Sequence, residues 1–256
     1  MSLYHESFGQ GPELVLIHGW GMNGDVWEGV IPKLSDKYRV TIIDLPGHGR
    51  SVDNLGDYSL DDLSQQIAAV LPDNPIVIGW SLGGMMATHL AATRPTSIKA
   101  LVLVASAPKF VRDDTWQYGI DAQVLDSFAG DLKNDFKQTV KRFIAIQAMG
   151  SDHAREEQRT LRERVFRHGN PQIAALEGGL KLLQTADLRP CLAEIQQPTL
   201  LITGQHDSLF RRSAAEATQQ LLANARLAII SGAGHAPFLS HPDIFLQALN
   251  NFLSEQ

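Results

Sequence analysis

The 256-residue chain has a single cysteine, Cys191, so no disulfide can close within it and a reducing compartment is expected. No glycine-framed turn surrounds Cys191, so it reads as an inert thiol rather than a nucleophile. No apolar run approaches the roughly 18 residues that a membrane helix needs. The opening M-S-L-Y-H-E-S has no basic stretch followed by an apolar one, so a signal peptide is not expected and a cytoplasmic location is. Positive charge is in deficit, with 22 Lys+Arg against 28 Asp+Glu and a net charge of −6, which argues against nucleic acid as a partner. Internal repeats and low-complexity tracts are also missing. What remains is an ordinary soluble balance, 44% apolar and 20% charged, enough to bury the core of one large domain.

Short apolar runs recur at Leu14–Ile17, Val40–Ile43, Ile76–Ile78, Ala100–Val104, Thr199–Thr203 and Arg226–Ile230. They lack polar alternation, as parallel strands covered on both faces do. Helical patterns lie between them at Leu60–Val70, Met85–Thr93 and Ala214–Leu222. Ser59, with Asp62 three residues on, resembles a capping box. The alternation predicts an α/β fold with a mostly parallel, doubly wound sheet and right-handed crossovers. From 109 to 186 the strand pattern stops. Helical segments Leu125–Gly130, Asp135–Met149, Ala154–Arg167 and Pro171–Leu183 take its place. The expected organisation is a core of 1–108 and 187–256 with a helical lid at 109–186.

Gly79-Trp80-Ser81-Leu82-Gly83 matches G-x-S-x-G between a strand and a helix. A strand turning sharply into a helix projects the serine above the sheet, where helix N–H groups favour developing negative charge. A Cβ at 79 or 83 would collide with the neighbouring turn. The bland alternative is a glycine-rich turn with an idle serine. Ser81 as nucleophile needs a base, an orienting acid and oxyanion donors. His18-Gly19-Trp20-Gly21 follows the first strand and can aim the Trp20 N–H. Leu82, next to Ser81, offers the second donor. Losing one such donor typically costs about 3 kcal/mol of transition-state stabilisation.

Nine histidines compete for the base. His18 shapes its loop, His48 belongs to a turn, and His5, His89, His153 and His168 sit in exposed or helical contexts. His206 lies in the loop where the acid is expected, and His241 begins a helix. His235, in S-G-A-G-H-A-P-F after the last strand, remains, on a glycine-rich loop read as flexible. Asp207 follows the preceding strand. Asp44 also ends a strand, but precedes the serine and leads into a Pro-Gly turn. The order Ser81, Asp207, His235 is the α/β-hydrolase order.

These motifs, together with L-I-H-G-W-G-M-N, D-L-P-G-H-G-R-S, R-F-I-A-I-Q-A-M-G, G-G-L-K-L-L-Q-T-A-D-L-R and G-H-A-P-F-L-S-H-P, make the chain resemble the α/β-hydrolase superfamily over almost its whole length. Within it the chain resembles the pimeloyl-[acyl-carrier protein] methyl ester esterases of biotin synthesis. Trp20, Trp80 and R-F-I-A-I-Q-A-M-G carry that narrower likeness. The resemblance implies a serine carboxylesterase with a Ser81-Asp207-His235 triad and no metal or organic cofactor. It implies substrate contacts at Trp20, Leu82, Phe143, Ile144, Ala145, Ile146 and Gln147, with an apolar wall for a methylene chain and Gln147 as a polar end. Without it, Phe143, Ile144 and Ile146 are ordinary core helix positions.

The resemblance also implies an acyl carrier protein as partner, and such carriers are acidic. Residues 137–167 hold 8 Lys+Arg against 4 Asp+Glu. Arg155, Arg159 and Arg162 recur at i, i+4, i+7, one helical stripe. The family's docking arginines map onto Arg142, Arg155 and Arg159. Position 138, basic in some relatives, is Gln138 here. The competing reading is a solvated face paired internally with Glu156 and Glu163. Other functions compatible with the motifs are a general short-chain carboxylesterase, a carbon–carbon bond hydrolase, or a non-catalytic receptor of this fold. A monomer is expected.

Overall fold

A computed structural model of the protein describes residues 3–52 and 55–256. Seven strands form one sheet: β1 (His5–Phe8), β2 (Glu13–Ile17), β3 (Arg39–Ile43), β4 (Ile76–Trp80), β5 (Ala100–Val104), β6 (Thr199–Gly204) and β7 (Ala225–Ile230). Their order across the sheet is β1-β3-β2-β4-β5-β6-β7. All neighbours run parallel except β1, which pairs antiparallel with β3. The helices are α1 (Ile31–Ser35), α2 (Leu60–Ala68), α3 (Leu82–Thr93), α4 (Ala122–Leu132), α5 (Phe136–Gln147), α6 (Ala154–Val165), α7 (Ile173–Thr185), α8 (Arg212–Leu221), α9 (Pro237–Ser240) and α10 (Pro242–Leu253).

The unbroken apolar runs are explained by burial. Every residue of β4, β5 and β6 is buried, so neither face of those strands selects polar side chains. β1 was not foreseen. It is a short edge strand with three exposed residues, HESF, and carries no apolar signal. Ser59 does cap α2, its side chain accepting the Asp62 N–H at 3.1 Å. The reciprocal half of the box is absent, because the Ser59 N–H is taken by Asp57 Oδ1 at 2.8 Å.

β2 pairs with β3 on one side and β4 on the other, with Leu14 opposite Ile76 and Ile17 opposite Gly79. The chain therefore reverses its winding direction at this seam, and the crevice beyond the strands' C-terminal ends is where open α/β sheets place ligands. The loops after β2 and β4 carry Trp20 and Ser81. α4 to α7 follow one another between β5 and β6, where the strand pattern stops in the sequence.

Candidate active site

Ser81 stands between β4 and α3 with φ 54° and ψ −116°. This left-handed backbone costs a non-glycine residue about 1–3 kcal/mol. Its surroundings hold it there. The Ser81 N–H donates to the Val104 carbonyl at 2.9 Å, and the Ser81 carbonyl accepts from Gly84 N–H at 2.9 Å. Ser106 Oγ donates to the same carbonyl at 2.7 Å. A Cβ on Gly79 would lie 2.4 Å from the Gly83 carbonyl oxygen, inside the elbow. A Cβ on Gly83 would strike elsewhere, 2.5 Å from the Ile17 carbonyl oxygen at the end of β2. The second glycine thus lets α3 enter against the neighbouring strand.

Asp207 and His235 meet. His235 Nδ1 lies 2.8 Å from Asp207 Oδ2. Asp207 Oδ1 accepts the N–H groups of Leu209 at 2.9 Å and Phe210 at 2.8 Å, which fixes the carboxylate. A carboxylate oxygen accepts, so in the neutral imidazole the proton on this side belongs to Nδ1 and Nε2 carries the lone pair. Nε2 is buried and has no hydrogen-bond partner among the described residues; Ser81 Oγ does not bond to it in this state. Catalytic bonds of this kind are commonly loose without substrate. The loop read as flexible is pinned at both main-chain groups of His235. Its N–H donates to the Gln147 carbonyl at 3.0 Å, and its carbonyl accepts the Trp80 indole N–H at 2.8 Å.

The rejected candidates have other engagements. His18 Nδ1–H donates to the Gly19 carbonyl at 2.8 Å and its Nε2 accepts the Leu45 N–H at 2.9 Å, locking the Trp20 loop. Burial pushes its pKa down. His48 Nδ1–H donates to the Pro46 carbonyl at 2.9 Å, and burial pushes this ring down to about 3. Asp44 accepts from Gly24 N–H at 2.6 Å, Arg50 N–H at 2.9 Å and Arg50 Nε at 2.8 Å. Burial opposes its ionisation, yet the Arg50 guanidinium and these N–H groups hold the carboxyl below its ordinary range.

Neither the Trp20 nor the Leu82 main-chain N–H has an acceptor among the described residues. The Trp20 ring is wholly buried, its Nε1–H donating to the Leu176 carbonyl of α7 at 2.8 Å and its ring lying 4.7 Å from Phe143, edge-on. Phe143, Ile144 and Gln147 are buried, while Ala145 and Ile146 are half-buried. Both side-chain amide atoms of Gln147 are buried without a partner among the described residues. Ser81 is only 2% exposed, so the site is covered. Among the described residues no group of three His, Cys, Asp or Glu side chains is placed to hold a metal ion.

The basic residues are divided. Arg142, on α5, is 2.6 Å from Asp131 and lies over the Phe128 ring. Arg155, Arg159 and Arg162 line one shallow hollow on α6. Arg159 is flanked by Glu156 at 3.8 Å and Glu163 at 3.6 Å, whereas Arg155 and Arg162 pair with no carboxylate among the described residues. Sequence reasoning missed Ser106 and the carbonyls of Gln147 and Leu176; main-chain groups leave no residue-type signal. It also missed Glu157, which faces inward on α6 beside Leu161 and Val165. Its place at i, i+4, i+8 on that apolar face was the available clue. Burial pushes its carboxyl up to about 7, while Ser151 Oγ donates to Oε1.

A family model described as alpha/beta hydrolase fold matches residues 12–242. A pimeloyl-[acyl-carrier protein] methyl ester esterase from Aeromonas hydrophila subsp. hydrophila is 45% identical over 99% of this chain and 100% of its own. One of the same name from Nitrosomonas europaea is 43% identical over 97% of this chain and 98% of its own. Among solved structures, a bromoperoxidase from Bacillus anthracis superposes with a TM-score of 0.90 over 98% of this chain and 95% of its own. Its 24% identity speaks to the fold alone.

Proposed function

This chain belongs to the α/β-hydrolase family, and from that premise we propose that it is the serine carboxylesterase that converts pimeloyl-[acyl-carrier protein] methyl ester to pimeloyl-[acyl-carrier protein] and methanol in biotin synthesis. One observation carries the chemistry: the Asp207–His235 contact of 2.8 Å leaves a buried, unshared Nε2 lone pair. The substrate reading rests on the near-full-length likeness to esterases of that name.

His235 Nε2 takes the Ser81 hydroxyl proton as Oγ adds to the ester carbonyl carbon. The oxyanion is received by the N–H groups of Trp20 and Leu82, and Asp207 stabilises the imidazolium. Methanol departs with the proton from His235. A water, deprotonated by the same nitrogen, then releases the free carboxylate and restores Ser81. Residues 109–186 serve as the lid. Phe143, Ile144, Ala145 and Ile146 face the methylene chain, and the unpartnered Gln147 amide lies at its polar end. Arg142, Arg155 and Arg159, with Arg162 continuing the α6 stripe, meet the acidic carrier protein in the cytoplasm, and the enzyme acts as a monomer.

The test is methanol release from the carrier-bound methyl ester, with Ser81 labelling by a fluorophosphonate followed by mass spectrometry. Ser81→Ala should lower turnover by at least about 10⁴-fold while carrier binding persists. Retained hydrolysis in that variant refutes the mechanism. Equal turnover of carrier-bound and free short esters, indifferent to salt, points instead to a general short-chain carboxylesterase.

A further inference from the structure

We propose that Gly179 positions the oxyanion hole: where α7 crosses Trp20 and Leu82 it carries no side chain, and that gap sets where their two N–H groups stand. The inference rests on the esterase reading above, in which those groups receive the oxyanion.

Gly178 and Gly179 sit side by side within Ile173–Thr185. A glycine inside a helix costs about 1 kcal/mol relative to alanine. Neither has a positive φ, so backbone freedom does not explain them; space does. A Cβ on Gly179 would lie 2.6 Å from Trp20 Cδ1, 3.2 Å from Trp20 Nε1 and 3.2 Å from Leu82 Cδ2. A Cβ on Gly178 would also come within 2.6 Å of its nearest neighbour, but that neighbour is Tyr58. The same helix holds the indole through Leu176, whose carbonyl accepts Trp20 Nε1–H at 2.8 Å, and Phe143 closes another side at 4.7 Å. Trp20 and Leu82 are both fully buried. Neither side chain has an outward way to yield, so a methyl at 179 is taken up by the backbone that carries the donors. α7 is thereby part of the positioning machinery and not only a cover.

The experiment compares Gly179→Ala with Gly178→Ala, two equal additions on adjacent residues of one helix. The readouts are kcat, KM and inhibition by an aliphatic trifluoromethyl ketone. Ser81 Oγ adds to the ketone carbon, the hydroxyl proton passes to His235, and the resulting oxyanion occupies the hole. Gly179→Ala should lower kcat and ketone affinity in parallel by about tenfold to a hundredfold, with KM within about twofold; Gly178→Ala should leave all three within about twofold. If Gly179→Ala does not fold, Trp20→Phe serves. It deletes the bond to Leu176, keeps the main-chain donor, and should show the same parallel loss. Equal losses in the two glycine variants, or unchanged ketone affinity in Gly179→Ala or Trp20→Phe, overturn the proposal. A wild-type protein that does not label at Ser81 overturns the esterase reading and this proposal together.

Discussion

The sheet's C-terminal edge and the helical segment between β5 and β6 contribute to the site in different ways. The edge carries the side chains to which the chemistry is assigned above: Ser81 in its elbow, tied to Val104 and Ser106, and Asp207 held by two N–H groups of its own loop. The helices supply carbonyls and empty space. Gln147 accepts the His235 N–H, Leu176 accepts the Trp20 indole, and Gly179 lies against both proposed oxyanion residues. On the proposed mechanism, chemistry resides on one side and placement on the other. The two regions also bury titratable groups of opposite pH response, His48 under the edge and Glu157 on α6.

The largest test of that division is Asp207→Asn. It should lower kcat by about 10⁴-fold through the wrong imidazole tautomer while the fold persists. A loss under tenfold, measured on the methyl ester, would mean the edge does not hold the chemistry. Next, reversing Arg155, Arg159 and Arg162 to glutamate should reduce kcat/KM for the carrier-bound ester by about tenfold to a hundredfold at low salt. A free methyl ester should be unaffected; equal losses on both substrates would place the stripe in folding rather than docking. The smallest effect is in stability. The Glu157 carboxyl is raised from 4.5 to about 7, so the folded state binds the extra proton between those values and loses that advantage as pH rises through them. Urea unfolding of Glu157→Gln should show a gain over wild type that grows by about 3 kcal/mol from pH 4.5 to 7.5. His48, depressed from 6.5 to about 3, acts in reverse, and its contribution is lost as pH falls below 6.5. His48→Gln should therefore be less sensitive to acid than wild type. A parallel pH response of all three proteins would erase the contrast.

Much of the edge was legible in the sequence. β2 to β6 announce themselves because their runs are apolar and largely buried, β7 by its apolar run although only Ile230 is buried there, and Asp207 and His235 follow from their places after the last two. β1 escaped because an exposed four-residue strand buries too little to leave a pattern. The helices α4 to α7 were legible as helices from their apolar spacing, though not in what they touch. Arg159 illustrates the limit: the stripe is visible in the sequence, but the flanking carboxylates at 156 and 163 share that one arginine and spare its neighbours. The His235 loop illustrates another. Its glycines suggest mobility, while the structure moors it through a tryptophan indole and a helix-end carbonyl.

That mooring joins roof to floor. The carbonyl that ends α5 grips the backbone of the ring at 235, so a displacement of this helix would be felt at the imidazole as well as at the apolar wall above it.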